Sequence, residues 1–163
     1  AASGVSAIDV GGAGGSSMAA IEAQRAAERG DQRSGAIGDL YRDWGIATPI
    51  AVVEAHAAAP GLPITATGGV RSGLDAARAL ALGATLVGLG FPFLKAASES
   101  EASVRTFLDQ FLAELRVATQ LTGSATLAEL QRAPVVVTGA TREWLEMRGF
   151  GDGLRVIARR CLT

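Results

Sequence analysis

ITATGGVRSGLDAARALALGATLVGLGFPF, residues Ile64–Phe93, decides the fold. An apolar run, Leu62–Thr67, leads into the glycine pair Gly68-Gly69. A helical pattern follows over Ala76–Leu82 and stops at Gly83. A second apolar run, Thr85–Leu89, then meets another glycine turn within GLGFPFLK, Gly88–Lys95. Ser72 with Asp75 resembles a capping box, and Gly83 is a natural C-terminal stop. Both apolar runs are bounded by glycine or proline and lack clean alternation. Strands of that kind are expected in a central parallel sheet covered by helices.

Working upstream, Val5–Val10 reads as another such strand, and it also ends in a glycine turn, GGAGGSS, Gly11–Ser17. Thr48-Pro49 places a hydroxyl before a proline at the start of a helix that Pro60-Gly61 stops. The charges and glycines of Glu28–Asp43 read as a loop. Downstream, Ser98 with Glu101 opens the clearest helix, in which Val104, Phe107, Leu108, Phe111, Leu112, Leu115 and Ala118 recur at helical spacing. Gly123 ends it. Shorter helices are expected near Thr126–Arg132 and Thr141–Arg148, with a fourth candidate strand at Val135–Val137. Repeated βα units argue for a parallel α/β protein, either an open doubly wound sheet or part of a (β/α)8 TIM barrel. Three units cannot close a barrel.

Composition narrows the functional classes. The chain has 163 residues, 48% apolar and 19% charged, which argues against disorder. Its 15 basic residues meet 16 acidic ones, so no basic excess suggests nucleic acid. A single cysteine, Cys161, cannot make a disulfide scaffold. No apolar run is long enough to span a membrane, and Ala1-Ala2-Ser3 does not open a secretory signal. A soluble, cytoplasmic protein is expected.

In a parallel α/β fold, all three glycine turns lie at the C-terminal ends of the strands, where ligands bind. Glycine lets backbone approach a ligand and present N–H groups, and a helix N-terminus adds partial positive charge, which suits phosphate. Ser16, Ser17, Arg71 and Ser72 are candidate side-chain donors. A single glycine turn is more simply a tight βα connection. Two in consecutive units, with an arginine and a helix cap between them, suggest a phosphate site shared by adjacent strand ends. In barrels such a site commonly follows strands seven and eight.

Other residues read more plainly. His56 is expected on a helix surface or in packing, and Lys95 as a solvated helix-start lysine. Asp9 is either a mouth-facing carboxylate or a buried, hydrogen-bonded structural one. Trp44 and Trp144 are expected to pack. Arg159-Arg160 is too short a run to imply nucleic acid. The Val104–Ala118 stripe is expected to be core or subunit interface.

Residues Ile64–Phe93 resemble the last two βα units of FMN-dependent (β/α)8 enzymes, among them 2-hydroxy-acid oxidases, inosine-monophosphate dehydrogenase and type 2 isopentenyl-diphosphate isomerase. AIDVGGAGGSS (Ala7–Ser17), DWGIATP (Asp43–Pro49) and the stretch Leu121–Gly149 resemble the isomerase family in particular. The oxidases carry an HGGR-type segment with a histidine base, where this chain has GGAGG. Inosine-monophosphate dehydrogenase needs a loop cysteine, and Cys161 is the third residue from the end.

The resemblance implies a partial TIM-barrel domain over residues 1–163, about strands six to eight, with residues 121–163 as a helical tail. It implies interconversion of isopentenyl and dimethylallyl diphosphate in isoprenoid biosynthesis, using reduced FMN and Mg²⁺, with NADPH or a similar donor reducing the flavin. The alternative is an FMN-dependent oxidoreductase of the 2-hydroxy-acid oxidase type. Carried over by position, Ser16, Gly68, Gly69, Val70, Arg71, Gly90 and Phe91 are the expected FMN-binding residues. Met18 stands where tryptophan is frequent, and Phe91 where glycine is usual. The family's catalytic residues, metal-ligating glutamate and substrate histidine find no match. The expected assignment is therefore the C-terminal portion of an enzyme, inactive alone and homo-oligomeric when whole, with a small diphosphate as substrate and neither nucleic acid nor membrane as partner.

Overall fold

The computed structural model describes residues 4–160. Ala1–Ser3 and Cys161 lie outside the described residues. Three parallel strands, β1 (Ile8–Asp9), β2 (Ile64–Ala66) and β3 (Leu86–Val87), stand in chain order across one sheet. The register pairs Asp9 with Thr65, and Thr65 with Leu86. Backbone bonds carry the first pairing past the strand proper. Val10 N–H donates to Thr65 O at 3.1 Å, and Gly12 N–H to Thr67 O at 3.0 Å. The β1–β2 pairing therefore runs directly into the glycine turn.

Side chains alternate across a sheet, so the register sorts them into two faces. Ile64 and Ala66 are fully buried, and Ala66 packs with Val52, Ala79, Leu82 and Ala84. Those residues belong to or flank helices α3 (Thr48–Ala58) and α4 (Gly73–Ala81). Asp9, Thr65 and Leu86 share the other face, where Leu86 is 59% exposed. Among the described residues α3 and α4 pack on the Ile64–Ala66 face.

The connection from β1 to β2 holds more helix than the sequence suggests. Helix α1 (Met18–Glu28) is followed by α2 (Gln32–Leu40), inside the stretch read as a loop. Asp31 caps α2 by accepting a bond from Ser34 N–H at 3.0 Å. No residue of α2 is buried, so it lacks the apolar stripe that would announce it. Helix α5 (Phe91–Glu99) grows directly out of the third glycine turn. Ser98 donates its hydroxyl to Lys95 O, and Ser100 is what caps helix α6 (Glu101–Leu121).

Helix α6 packs on α4. Gly73 sits so close to the α6 backbone at Phe111 and Leu115 that no Cβ fits there. The α6 stripe divides. Phe111 and Ala118 are buried, whereas Leu108 and Leu112 are 40% and 36% exposed. Beyond α6 come α7 (Leu127–Leu130), α8 (Gly139–Met147) and α9 (Gly151–Ala158), the last not anticipated.

Val135–Val137 forms no strand. Val135 N–H donates to Ile157 O at 3.1 Å, and Val135 and Val137 pack against the Val52–Ala66 cluster. Gln131 donates to Ala84 O at 2.8 Å, and Arg160 donates to Ala81 O and Gln131 O, tying this segment to the α4–β3 connection. Partial burial lowers the Arg160 pKa from the ordinary arginine value. Among the described residues no helix is long and apolar enough to cross a membrane.

Candidate functional site

The parallel register brings the three glycine turns to one edge of the sheet. The first two interlock. Gly68 and Gly69 have φ of +94° and +81°, a region that side chains rarely adopt. A Cβ on Gly69 would lie 2.6 Å from Gly14 C and O, and one on Gly15 would lie 2.6 Å from Gly69 N. A Cβ on Gly68 would run into Gly12 O. These glycines first let one turn lie on the other, and only then make room for a ligand. The third turn joins through Gly88, where a Cβ would press on the Thr67 side chain.

Polar groups hold the interlock. Arg71 donates from Nη2 to Gly14 O at 3.2 Å, bridging the second turn to the first. Asp9 Oδ1 accepts from Gly11 N–H at 3.0 Å and from the Thr67 hydroxyl, so it ties the same two turns. Asp9 makes the hydrogen bonds of a structural carboxylate but is exposed rather than buried, so it fits that reading only in part. Thr48, whose hydroxyl was expected to cap α3, does not cap it. Its side chain instead reaches Gly68 O at 2.5 Å and Thr67 O at 3.1 Å.

Two of the four candidate side-chain donors are engaged as caps. Ser17 accepts from Ala20 N–H and donates to Arg42 O, and Ser72 accepts from Asp75 N–H. The N-terminus of α4 already faces carboxylates. Gly73 N–H donates to Glu114 at 2.8 Å, and Arg71 N–H donates to Asp75 at 3.2 Å. Bonds from the Gln110 amide and from Gly73 N–H hold the Glu114 carboxyl below the usual glutamate value. The helix dipole there is met by protein anions. By contrast, α5 begins at Gly90 with no side-chain cap. Among the described residues the N–H groups of Gly69, Val70, Gly90 and Phe91 make no hydrogen bond. The arrangement offers unsatisfied backbone donors from two strand ends, with the exposed Arg71 guanidinium beside the second.

Each expected site residue has a place in this geometry. Gly68, Gly69 and Arg71 belong to the interlock. The Val70 side chain is buried against Phe111 and Ala76, which anchors the turn and leaves only its backbone for a ligand. Ser16 and Phe91 both line one open cleft of about 570 Å³ against α1, so the first and third turns face each other. Phe91 is 67% exposed. Gly90 has open space where a Cβ would be. His56 lies on the exposed side of α3 with its ring against Gly83, and Lys95 is exposed on α5. Trp144 donates to Glu54 Oε1 at 3.1 Å. Trp44 corrects the packing expectation. It is 84% exposed and lines a second cleft, of about 670 Å³, beside the first glycine turn. Thr48 is the contact to the second turn that sequence reasoning missed, because its hydroxyl acts across 20 residues of chain.

Comparison with known proteins places this geometry in a family. The sequence pattern of the family described as FMN-dependent dehydrogenase matches residues 2–137. The isopentenyl-diphosphate delta-isomerase of Methanothrix thermoacetophila is 48% identical over 148 residues, 91% of this chain and 41% of the relative. That of Methanosarcina barkeri is 48% identical over 147 residues, 90% of this chain and 40% of the relative. The chain thus spans about two fifths of the length of these curated relatives. Among solved structures, mandelate oxidase with (S)-2-phenylpropionate matches with a TM-score of 0.53 and 30% identity, over 69% of this chain and 35% of the other. The interlocked turns, the parallel sheet and these matches lead to one conclusion: the chain belongs to the FMN-dependent dehydrogenase family.

Proposed function

We propose that the full-length protein is an FMN-dependent isomerase that interconverts isopentenyl and dimethylallyl diphosphate in isoprenoid biosynthesis. This chain supplies the cradle for the FMN phosphate, as about strands six to eight of a (β/α)8 barrel. One observation carries the assignment of the site. Two interlocked glycine turns leave the N–H groups of Gly69 and Val70 without protein partners, beside a guanidinium.

A phosphate fits those residues. Backbone N–H groups and an arginine are the usual partners of a phosphate dianion, and the glycines admit its oxygens. Gly68 sets the turn, Gly69 and Val70 donate from the backbone, and Arg71 contributes its remaining N–H groups. Gly90 and Phe91 donate from the uncapped start of α5. Ser16 lines the same cleft as Phe91 and would meet the flavin there. Bound FMN supplies the electron-rich ring system on which the reaction depends. The residues of this chain bind and orient it.

Mg²⁺ does not fit here. Among the described residues no group of three or more His, Cys, Asp or Glu side chains is placed to hold a metal ion. No step of the proton shift is therefore assigned to these residues through a metal. The diphosphate-binding groups, the metal ligands and the NADPH contact are assigned to other parts of the full-length protein, which is proposed to be cytoplasmic and homo-oligomeric.

The isomerase reading is supported by identity of 48% to proteins of that name, against 30% to mandelate oxidase. The shape match to mandelate oxidase favours a second reading, oxidation of a 2-hydroxy acid. Incubating the full-length protein with reduced FMN, Mg²⁺ and isopentenyl diphosphate separates the two. Formation of dimethylallyl diphosphate is expected. Bound flavin that is reduced by a 2-hydroxy acid, with no isomerisation, supports the oxidase instead.

A further inference from the structure

We propose that Thr48 is a positioning residue for the phosphate cradle: its hydroxyl pins the Gly68–Gly69 peptide and so sets the direction of Gly69 N–H. The inference rests on the FMN-phosphate reading and deepens it. Thr48 is 6% exposed and opens α3, yet its hydroxyl makes no cap there; the N-cap is Ala47, which has no side-chain bond. A hydroxyl has one proton. Gly68 O at 2.5 Å is its principal acceptor, and Thr67 O at 3.1 Å shares it.

The consequence follows from amide geometry. A trans peptide is planar, and its C=O and N–H point in opposite directions. Holding Gly68 O therefore fixes Gly69 N–H, one of the proposed phosphate donors. Such a pin is needed at this place. Gly68 and Gly69 are adjacent glycines, both at positive φ, and no Cβ restrains rotation of the peptide between them.

Thr48 also holds the first turn, donating its own N–H to Ala13 O at 3.2 Å. The two turns thus share one buried residue as a reference point. The space for it exists because residue 12 is glycine, since a Cβ there would collide with Thr48 Cα and Oγ1.

The test compares Thr48→Ser with Thr48→Ala in the full-length protein. The two differ by the hydroxyl alone. Binding of FMN and of riboflavin, which lacks the phosphate, is titrated for each, and the affinity ratio reads the phosphate contribution. A general loosening of the fold weakens both flavins alike and leaves the ratio unmoved. The hydroxyl pin predicts that Thr48→Ser keeps the wild-type ratio. Thr48→Ala lowers it by about tenfold, the scale of one well-placed hydrogen bond. An unchanged ratio in Thr48→Ala overturns the proposal. If Thr48→Ala does not fold, Thr48→Cys, a weak donor of similar shape, reads the same ratio: a fall supports the pin, and a wild-type ratio overturns it. A wild-type ratio near one, by contrast, overturns the phosphate reading itself.

Discussion

Gly69→Ala puts the interlock of the first two turns to a quantitative test. The new Cβ would start 2.6 Å from Gly14 C and O, and ordinary contact begins at 3.4 Å, so the turns must part by about 0.8 Å. The Arg71–Gly14 bond, now 3.2 Å, is then stretched beyond hydrogen-bond range. Holding alanine at a φ of +81° costs about 1 kcal/mol. The lost bond adds about 1 kcal/mol. Imperfect repacking of the parted turns adds about 1 kcal/mol more. The sum is roughly 3 kcal/mol of stability. Gly30→Ala is the matched control, with a φ of +72° and no atom within 4 Å of the added Cβ. Its cost stops near 1 kcal/mol, the backbone part alone. Urea unfolding of both variants measures the difference, and flavin titration measures its functional part. Gly69→Ala is expected to weaken FMN binding by more than tenfold, and Gly30→Ala by less than twofold. Equal destabilisation by the two substitutions, with FMN affinity intact in both, would refute the interlock.

Three further outcomes are expected. Arg71→Ala weakens FMN binding, while His56→Ala leaves it unchanged, because His56 stands against Gly83 away from the turns; equilibrium flavin titration checks both. Glu114 stabilises the fold in its charged form, since Gln110 and Gly73 N–H hold its carboxyl below the usual value. A lowered folded-state pKa gives stability that is present above the unfolded value of about 4.3 and lost as pH falls through the folded value. Glu114→Gln should therefore lower stability in the neutral region while changing it less below the folded value, so that the acid limb flattens, as read by unfolding at pH 7 and below pH 4. Trp144→Phe removes the bond to Glu54, whose side chain is 19% exposed and also accepts from Arg148 at 3.1 Å. A loss of about 1 kcal/mol and faster proteolysis near α8 are expected.

The parallel βα order was legible because strands and turns announce themselves locally. Ile64 and Ala66 are apolar, Gly68-Gly69 must turn, and Ser72 caps within three residues. Helix α2 was not legible, because its face is nowhere buried and periodicity reports only burial. The glycine turns were found, but half of their purpose was hidden. Composition shows that backbone approaches something closely, not that the something is a neighbouring turn. The helix-dipole argument erred at α4 for a similar reason. Glu114, 41 residues away, occupies the place that local reasoning gave to a ligand. Thr48 illustrates the same limit. Its Thr-Pro pair reads as a helix start, and only the folded chain shows that the hydroxyl serves Gly68. Val135–Val137 has strand composition but donates to Ile157 and packs under α3, a tertiary outcome that propensity does not specify.

The most direct measurement is a structure of the full-length protein with FMN bound. The account predicts the phosphate within hydrogen-bond distance of Gly69 N–H, Val70 N–H and the Arg71 guanidinium, with Gly90 and Phe91 closing the cradle from α5. A flavin phosphate held elsewhere, with the Gly69 and Val70 N–H groups facing solvent, would contradict it.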